Sequence, residues 1–301
     1  MDIQNYGLKP VDFSGAISTQ SATTQTAGFN RREFMVTSLA MGFAIASNPI
    51  LAQAITTDDN GLSAGEVSIA VADGKIPAYR AMPKKGKNLP VILVIQEIFG
   101  VHEHIKDVCR RFAKLGYIAI APELFSRQGD VSKMTDIGEI LSKVVAKVPD
   151  EQVFSDLDAT IAYAKTTGKA NMAKIATVGF CWGGRTVWLY SAHNPAIKTG
   201  VAYYGLLSGM KSDIKANDPI DIGTSIKAPI LGLYAGKDTY IKAEMVEQMQ
   251  GELEKSGSGS EIVVFPNVDH GFNADYRPTY NKTAADYGWK LTRDWLKNHG
   301  V

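Results

Sequence analysis

The six-residue stretch GFCWGG at positions 179–184 has the glycine spacing of a turn that presents a nucleophile. Cys181 stands at its centre, after an apolar run and before a helical pattern. A nucleophile held in a tight turn between a strand and a helix leaves no room for Cβ atoms two residues to either side, and only glycine lacks one. The helix that follows points its positive end at the sulfur, which favours thiolate. The pattern predicts a nucleophilic Cys181; the alternative is a buried structural cysteine.

A cysteine nucleophile needs a base, and the base needs an acid that orients it. In this layout both follow the nucleophile in chain order, the acid first, each just after a strand. Asp238 follows one predicted strand in the sequence GKDT, and His270 follows the next in DHGF. Asp269 is a rival acid, but beside His270 it would point the wrong way to receive the imidazole proton. The sequence predicts a triad of Cys181, His270 and Asp238.

The turn QEIFG at positions 96–100, after the first central strand, contributes to the same predicted site. When a nucleophile stands in a turn between a strand and a helix, two backbone N–H groups bind the oxyanion. One belongs to the turn after the first central strand, and the other belongs to the residue after the nucleophile. We assign these donors to Ile98 and Trp182. Glu97 then lies near the sulfur of Cys181, an unusual place for a carboxylate unless it holds the resting thiol.

Aromatic and basic side chains fall on loops of the same sheet edge. Tyr204, Phe272 and Arg277 are the candidate substrate contacts, with Arg277 serving an anionic group. Tyr240 and Tyr276 also lie beside these loops. For each aromatic residue a place in the core is an equal alternative, and for Arg277 the alternative is a surface ion pair.

The elements that must position these residues alternate between apolar strands and amphipathic helices. Strands are predicted at 66–71, 76–82, 91–95, 117–121, 174–180, 198–204, 229–235 and 261–265. Helices are predicted at 104–115, 133–147, 150–166, 182–192, 243–255 and 279–298. Uniformly apolar, β-branched strands are typical of a parallel sheet that is covered on both faces. The fold class is therefore α/β, with a mostly parallel central sheet covered by helices on both faces.

Composition excludes several classes of protein. Of 301 residues, 45% are hydrophobic and 21% charged, which suffices for a large core and excludes wholesale disorder. Lys and Arg total 32 against 31 acidic residues, so no global field attracts nucleic acid.

Cys109 is predicted to pack in the core, and HEH at 102–104 lacks a third metal ligand. We expect no cofactor, no metal and no nucleic-acid partner.

The first 54 residues have the anatomy of an export signal. The sequence NRREFM at 30–35 precedes an apolar run at 36–51, which ends in AQA at 52–54. This run contains Thr, Ser, Asn and Pro, and it is shorter than the ~20 apolar residues that span a bilayer. The paired arginines resemble a twin-arginine signal. An uncleaved anchor and a cytoplasmic segment are the alternatives.

This signal predicts cleavage after Ala54 or nearby, a periplasmic location in a bacterium, and the twin-arginine export machinery as a partner. After cleavage we expect no stable membrane association. Residues 55–65 are then a linker, and residues 66–301 form a single domain, expected to be a monomer.

Four separated motifs resemble those of the dienelactone hydrolase family (carboxymethylenebutenolidases): QEIFG at 96–100, GFCWGG at 179–184, GKD at 236–238 and DHGF at 269–272. The resemblance extends from about Gly65 to the C-terminus and implies an α/β-hydrolase fold with the triad named above. It also implies that Glu97 holds the resting thiol and takes its proton when substrate binds. The family uses arginines for a substrate carboxylate, one of them shortly after the catalytic histidine. In this sequence Arg277 lies further along the chain from His270 than in that pattern, so the resemblance does not identify the substrate.

The choice of cysteine restricts the substrate. A tetrahedral intermediate on Cys181 expels the thiolate more readily than a simple alkoxide, whereas an enolate or phenolate leaves competitively. We therefore predict a hydrolase of activated esters or lactones, acting through a thioester that water resolves with His270 as base. The alternatives are a broader carboxylesterase or thioesterase and a non-catalytic, thiol-dependent binding protein.

Overall fold

The computed structural model describes residues 55–301, which are built around one sheet of eight strands. In chain order the strands are β1 Leu62–Val71, β2 Gly74–Pro83, β3 Leu89–Ile95, β4 Ile118–Pro122, β5 Ala170–Phe180, β6 Ile197–Tyr203, β7 Ile230–Ala235 and β8 Glu261–Phe265. Their spatial order is β1-β2-β4-β3-β5-β6-β7-β8. Strand β2 pairs antiparallel with β1 and with β4, and the other neighbours are parallel. The sheet is mostly parallel, as predicted.

Five long helices pack with this sheet: α1 Glu103–Lys114, α2 Asp150–Thr166, α3 Trp182–His193, α4 Ala243–Ser256 and α5 Lys282–Asn298. Every residue at positions 91–95 of β3 is buried. Because successive side chains of a strand point to opposite faces, this burial means that both faces of the central sheet are covered. The structure thus has the α/β-hydrolase architecture.

Two predicted boundaries differ from the structure. The predicted helix 133–147 is a series of short helical turns, in which Asp130 and Asp136 accept hydrogen bonds from backbone N–H groups two or three residues ahead. Such local caps compete with a continuous helix. Strand β1 begins at Leu62, inside the predicted linker 55–65, because the buried Leu62 side chain and the pairing with β2 extend it.

The parallel strands bring distant residues to one edge of the sheet. The carboxyl ends of β3, β5, β6, β7 and β8 lie side by side, so the residues that follow them meet there. Those residues include Glu97 after β3, Cys181 after β5, Tyr204 after β6, Asp238 after β7 and His270 after β8. The sheet order thus gathers the residues that the motifs singled out.

The predicted export signal at residues 1–54 lies outside the residues that the structure describes. Its cleavage, the twin-arginine partner and the periplasmic location therefore stay predictions. Between Ile55 and Val301, no helix combines the length and the apolar character that crossing a lipid bilayer requires.

Candidate active site

Cys181 occupies a strained turn between β5 and α3. Its backbone has φ +55° and ψ −112°, a region that residues with a Cβ rarely adopt. A Cβ on Gly179 would lie 2.2 Å from the carbonyl oxygen of Gly183, and a Cβ on Gly183 would lie 2.4 Å from that of Ile95. These distances confirm the predicted reason for glycine on both sides of the nucleophile.

The His270 ring is held by the carboxylate of Asp238. The distance from Nδ1 of His270 to Oδ2 of Asp238 is 2.8 Å, and both residues are buried. The other oxygen of Asp238 accepts hydrogen bonds from the backbone N–H groups of Tyr240 (2.9 Å) and Ile241 (3.1 Å). These bonds orient the carboxylate toward the ring, whereas the rival Asp269 is exposed.

Charges around His270 favour its protonated form. Burial by itself lowers the pKa of His270, but the Asp238 carboxylate and the hydrogen-bonded sulfur of Cys181 outweigh it and raise the pKa to about 10. An imidazolium beside a sulfur stabilises a thiolate. The arrangement therefore places a protonated ring, held by Asp238, beside the sulfur of Cys181.

Glu97 is completely buried, and three side chains face its carboxylate. The Tyr276 hydroxyl donates to Oε2, Nη2 of Arg277 lies 3.3 Å from Oε1, and Nε2 of His102 lies 3.6 Å from Oε2. Burial alone would raise the pKa of Glu97, but Arg277 and His102 bring it far below its usual range. Glu97 is therefore a carboxylate here, and its contact with the Cys181 thiol stays a prediction.

Arg277 reaches the catalytic edge although it stands later after His270 than the resemblance implies. The intervening chain folds into two tight turns, which the backbone N–H groups of Ala274 and Arg277 close at 2.9 Å each. The guanidinium lies 5.0 Å from the Phe99 ring centroid and 5.5 Å from that of Tyr276. Only 3% of the side chain is exposed, so the alternative of a surface ion pair is wrong.

The two predicted oxyanion donors lie in or beside the turn at residues 179–183 that presents Cys181, which we call the elbow. Trp182 is the first residue of α3, and the first N–H groups of a helix have no partner within it. Ile98 belongs to the turn after β3, which touches the elbow so closely that a Cβ on Gly183 would lie 2.5 Å from the carbonyl oxygen of Gln96. Their role as oxyanion donors stays a prediction.

The structure gives the predicted contacts Tyr204 and Phe272 different surroundings. Tyr204 has φ +37°, and its ring centroid lies 4.9 Å from that of His270. Its hydroxyl is buried and has no hydrogen-bond partner among residues 55–301. Phe272 is completely buried, with ring centroids 4.8 Å from Phe265 and 5.4 Å from Tyr204. Tyr204 thus has an unused donor at the site, while Phe272 supports it from the core.

Two histidines have a larger role than the sequence suggested. His102 directly precedes α1 and His104 lies in its first turn. In addition, His102 faces Glu97, and Nδ1 of His104 lies 2.9 Å from Oδ1 of Asp275. The only sequence signal was their spacing directly after the Glu97 turn.

Within the described part of the chain, no group of three or more His, Cys, Asp or Glu side chains is placed to hold a metal ion.

The second cysteine is a core residue, as predicted. Cys109 lies on α1 with no exposed surface, and burial raises the pKa of its thiol far above the usual value. Both Cys109 and Cys181 are free thiols. Cys109 therefore serves as an internal reference for tests on Cys181.

We expect Glu97→Gln to make the resting Cys181 thiol more reactive while it slows ester turnover about tenfold. The amide keeps the shape but removes a negative charge that opposes thiolate and that pairs with Arg277. The measurement is the rate of iodoacetamide labelling against pH, alongside turnover. Glu103→Gln is the matched control, because that carboxylate is half exposed and pairs with Arg110. Unchanged labelling and turnover would reduce Glu97 to a turn residue.

The sheet order, the strained Cys181 turn and the His270–Asp238 pair define an α/β-hydrolase. Residues 76–300 match the sequence profile of the dienelactone hydrolase family, and the chain belongs to that family. It is 55% identical to an inferred carboxymethylenebutenolidase of Methylorubrum extorquens, over 94% of this chain and 97% of the relative. It is 30% identical to an inferred 2-oxo-3-(5-oxofuran-2-ylidene)propanoate lactonase of Bradyrhizobium, over 74% of this chain and 89% of the relative.

A solved structure shows the same fold. The crystal structure of an inferred dienelactone hydrolase from Klebsiella pneumoniae superposes with a TM-score of 0.76 and shares 47% identity. The match covers 78% of this chain and 98% of that one. The relatives thus support a hydrolase of the dienelactone hydrolase family.

Proposed function

We propose that this protein hydrolyses activated esters or lactones through a thioester on Cys181. The observation that carries the proposal is the juxtaposition of a strained Cys181 turn with a buried His270–Asp238 pair at one sheet edge. Three groups in this order suit nucleophilic catalysis, because the base adjoins the nucleophile and the acid orients the base.

The proposed reaction has two halves. The thiolate of Cys181 attacks the ester carbonyl, and the backbone N–H groups of Ile98 and Trp182 stabilise the oxyanion. The intermediate collapses with cleavage of the C–O bond, and the His270 imidazolium gives its proton to the departing oxygen. Neutral His270 then takes a proton from water, whose oxygen attacks the thioester. Cleavage of the C–S bond releases the acid and leaves the Cys181 thiolate beside the His270 imidazolium. When the product departs, Glu97 returns the proton that it took from the thiol, which restores the resting state.

The leaving group defines the substrate class. Thiolate leaves a tetrahedral carbon more readily than an alkoxide, so the forward reaction requires an enolate, a phenolate or a similarly stable oxyanion. A ring-opening enol lactone meets this condition, and the 30% identical relative is named as a lactonase. The unused Tyr204 hydroxyl can donate a hydrogen bond to such a substrate.

The contacts of Glu97 suggest how an anionic substrate would be favoured. A substrate carboxylate at Arg277 would compete with Glu97 for the guanidinium. Loss of that partner raises the pKa of Glu97 toward its usual range, since the guanidinium is what lowers it most. The released carboxylate could then accept the Cys181 proton as the family resemblance implies.

We also propose that the protein is exported and works in the periplasm. The paired arginines at 31–32, the short apolar run and the small residues at 52–54 support this location.

A substrate panel tests the proposed function. We expect the wild type to hydrolyse enol lactones and aryl esters at least about a hundredfold faster than alkyl esters of equal size, because alkoxide leaves poorly from the cysteine adduct. Cys181→Ser should lower the rates on activated substrates, so that the ratio of the rate on activated esters to the rate on alkyl esters becomes smaller. Cys109→Ser is the matched control for thiol loss. Quenched turnover should trap an acyl group on Cys181 by mass spectrometry. A Cys181→Ser variant as active as the wild type across the panel would contradict the proposal.

A further inference from the structure

The first described residues of the chain bind buried carboxylates beside the active site. The backbone N–H of Ile55 donates to Oδ2 of Asp275 at 3.3 Å, and that of Thr57 donates to Oδ1 of Asp107 at 2.5 Å. Ile55 is 47% exposed, but the side chains of Asp275 and Asp107 are 2% and 0% exposed. An exposed chain segment is thus attached to the interior through charged groups.

Asp275 connects this segment to the active-site loop. Its carboxylate also binds the ring of His104 at 2.9 Å and Nη2 of Arg111 at 2.9 Å. The next two residues, Tyr276 and Arg277, are the ones that hold Glu97. Whatever fixes Asp275 therefore also fixes the backbone that presents Tyr276 and Arg277, two of the three side chains that face the Glu97 carboxylate.

Buried charges surround the Asp275 carboxylate. Asp107 and Asp275 are joined by ion pairs to the guanidiniums of Arg110 and Arg111, and the half-exposed Glu103 pairs with Arg110. Oδ2 of Asp275 receives both Nη2 of Arg111 and the backbone N–H of Ile55. A buried negative charge is costly unless a cation or hydrogen bonds compensate it.

The sequence predicts a cation at this place. The cleavage predicted after Ala54 would make Ile55 the first residue, and its nitrogen would then be an α-ammonium. We propose that hydrolysis of the Ala54–Ile55 bond by a signal peptidase is a maturation step that places this α-ammonium on Asp275. Water adds across the peptide bond, the carboxylate departs with Ala54, and the new amine takes up a proton.

This maturation step stabilises the active-site loop. The ammonium donates to the same Oδ2 that the amide N–H now contacts, and a charged donor binds a buried carboxylate more strongly than an amide does. The Asp275 carboxylate contacts it and favours the ammonium, and so does the Asp107 carboxylate, which binds the N–H of Thr57 two residues along the chain. The guanidinium of Arg111, on the same Oδ2 of Asp275, opposes it, and His104 lies on the other oxygen. The proposal rests on the proposed export, and it does not require ester hydrolysis.

The test uses the full-length chain, exported by a bacterial host and recovered from its periplasm. Intact mass should show Ile55 as the first residue. The pKa of its α-amine is then measured from the pH dependence of acetylation, read on the N-terminal peptide by mass spectrometry. We expect a pKa about one unit above the ~7.7–8.0 of a free α-amine. Near pH 7.5, Asp275→Asn should therefore accelerate acetylation of Ile55 about tenfold.

Asp58→Asn is the matched control, because it removes a carboxylate near the same terminus that is 62% exposed and paired with Lys114. Its acetylation rate should stay within about twofold of the wild type, since solvent screens an exposed charge. A first residue other than Ile55, an intact Met1, or equal rates in all three proteins would overturn the proposal. Should Asp275→Asn fail to fold, a wild-type α-amine pKa at or below the free value would overturn it by itself. An inactive esterase with a raised α-amine pKa would refute only the proposed function.

Discussion

His270→Ala is expected to lower kcat/KM for an activated ester at least about a thousandfold. The imidazole gives a proton to the departing oxygen and takes one from water in the proposed reaction, and the Asp238 carboxylate orients it at 2.8 Å. The ring also packs against Tyr204 and Tyr240, with centroid distances of 4.9 Å and 5.3 Å. Its removal should therefore also lower the melting temperature by a few degrees, about the effect of 1 kcal/mol.

Two further variants separate chemistry from packing in this prediction. His270→Gln keeps most of the side-chain volume but supplies no base, so it should be as inactive as the alanine variant and melt closer to the wild type. His193→Ala is the control for histidine loss, because that ring is 40% exposed and pairs with Asp158 on the surface. The measurements are initial rates and thermal melts followed by circular dichroism. Activity within tenfold of the wild type in both His270 variants would eliminate the triad.

Gly183→Ala is expected to destabilise the protein by about 3 kcal/mol, the upper range for overpacking, and to abolish most activity. The added methyl would lie 2.4 Å from the carbonyl oxygen of Ile95 and 2.5 Å from that of Gln96. Both are backbone atoms at the end of the central strand β3, so they cannot move aside as a flexible side chain would. The displaced turn would separate the N–H groups of Ile98 and Trp182, which the oxyanion requires together.

Gly251→Ala is the matched control, because a Cβ at this position in α4 would have no heavy atom within 4 Å. Alanine forms helices better than glycine, so we expect that variant to be more stable by up to about 1 kcal/mol. Free energies of unfolding from urea titration measure both effects. Equal stability of the two variants would show that the elbow tolerates a side chain. Steric exclusion of Cβ would then not be the reason for glycine at position 183.

The triad positions were predictable because each depends on local sequence. Cys181 has glycines two residues away on both sides, and Asp238 and His270 each follow a short apolar strand. Parallel strands place their carboxyl ends at one edge, so chain order alone indicated that these residues meet. The helix 133–147 was not predictable in the same way, since side-chain caps from Asp130 and Asp136 compete with its apolar pattern.

The surroundings of Glu97 were beyond the reach of sequence patterns. Tyr276 and Arg277 lie far along the chain from Glu97, and no periodicity relates them. Their contact depends on two tight turns after His270 and on the way the loop packs against Phe99. The same holds for the bond between Ile55 and Asp275, which joins the beginning of the described chain to its catalytic loop.

The amino-acid sequence by itself determined the fold class, the nucleophile turn and the order of the acid and the base, because strand burial, glycine sterics and chain order act over short distances. Only the tertiary structure decided that Arg277 is a buried partner of Glu97 and that the Tyr204 hydroxyl has no hydrogen-bond partner among residues 55–301. It also decided that Asp275 binds His104 and the start of the described chain. These are contacts between charged and polar groups on separate loops. Their existence depends on which loops share a low-dielectric interior, and this is set by packing of the whole domain.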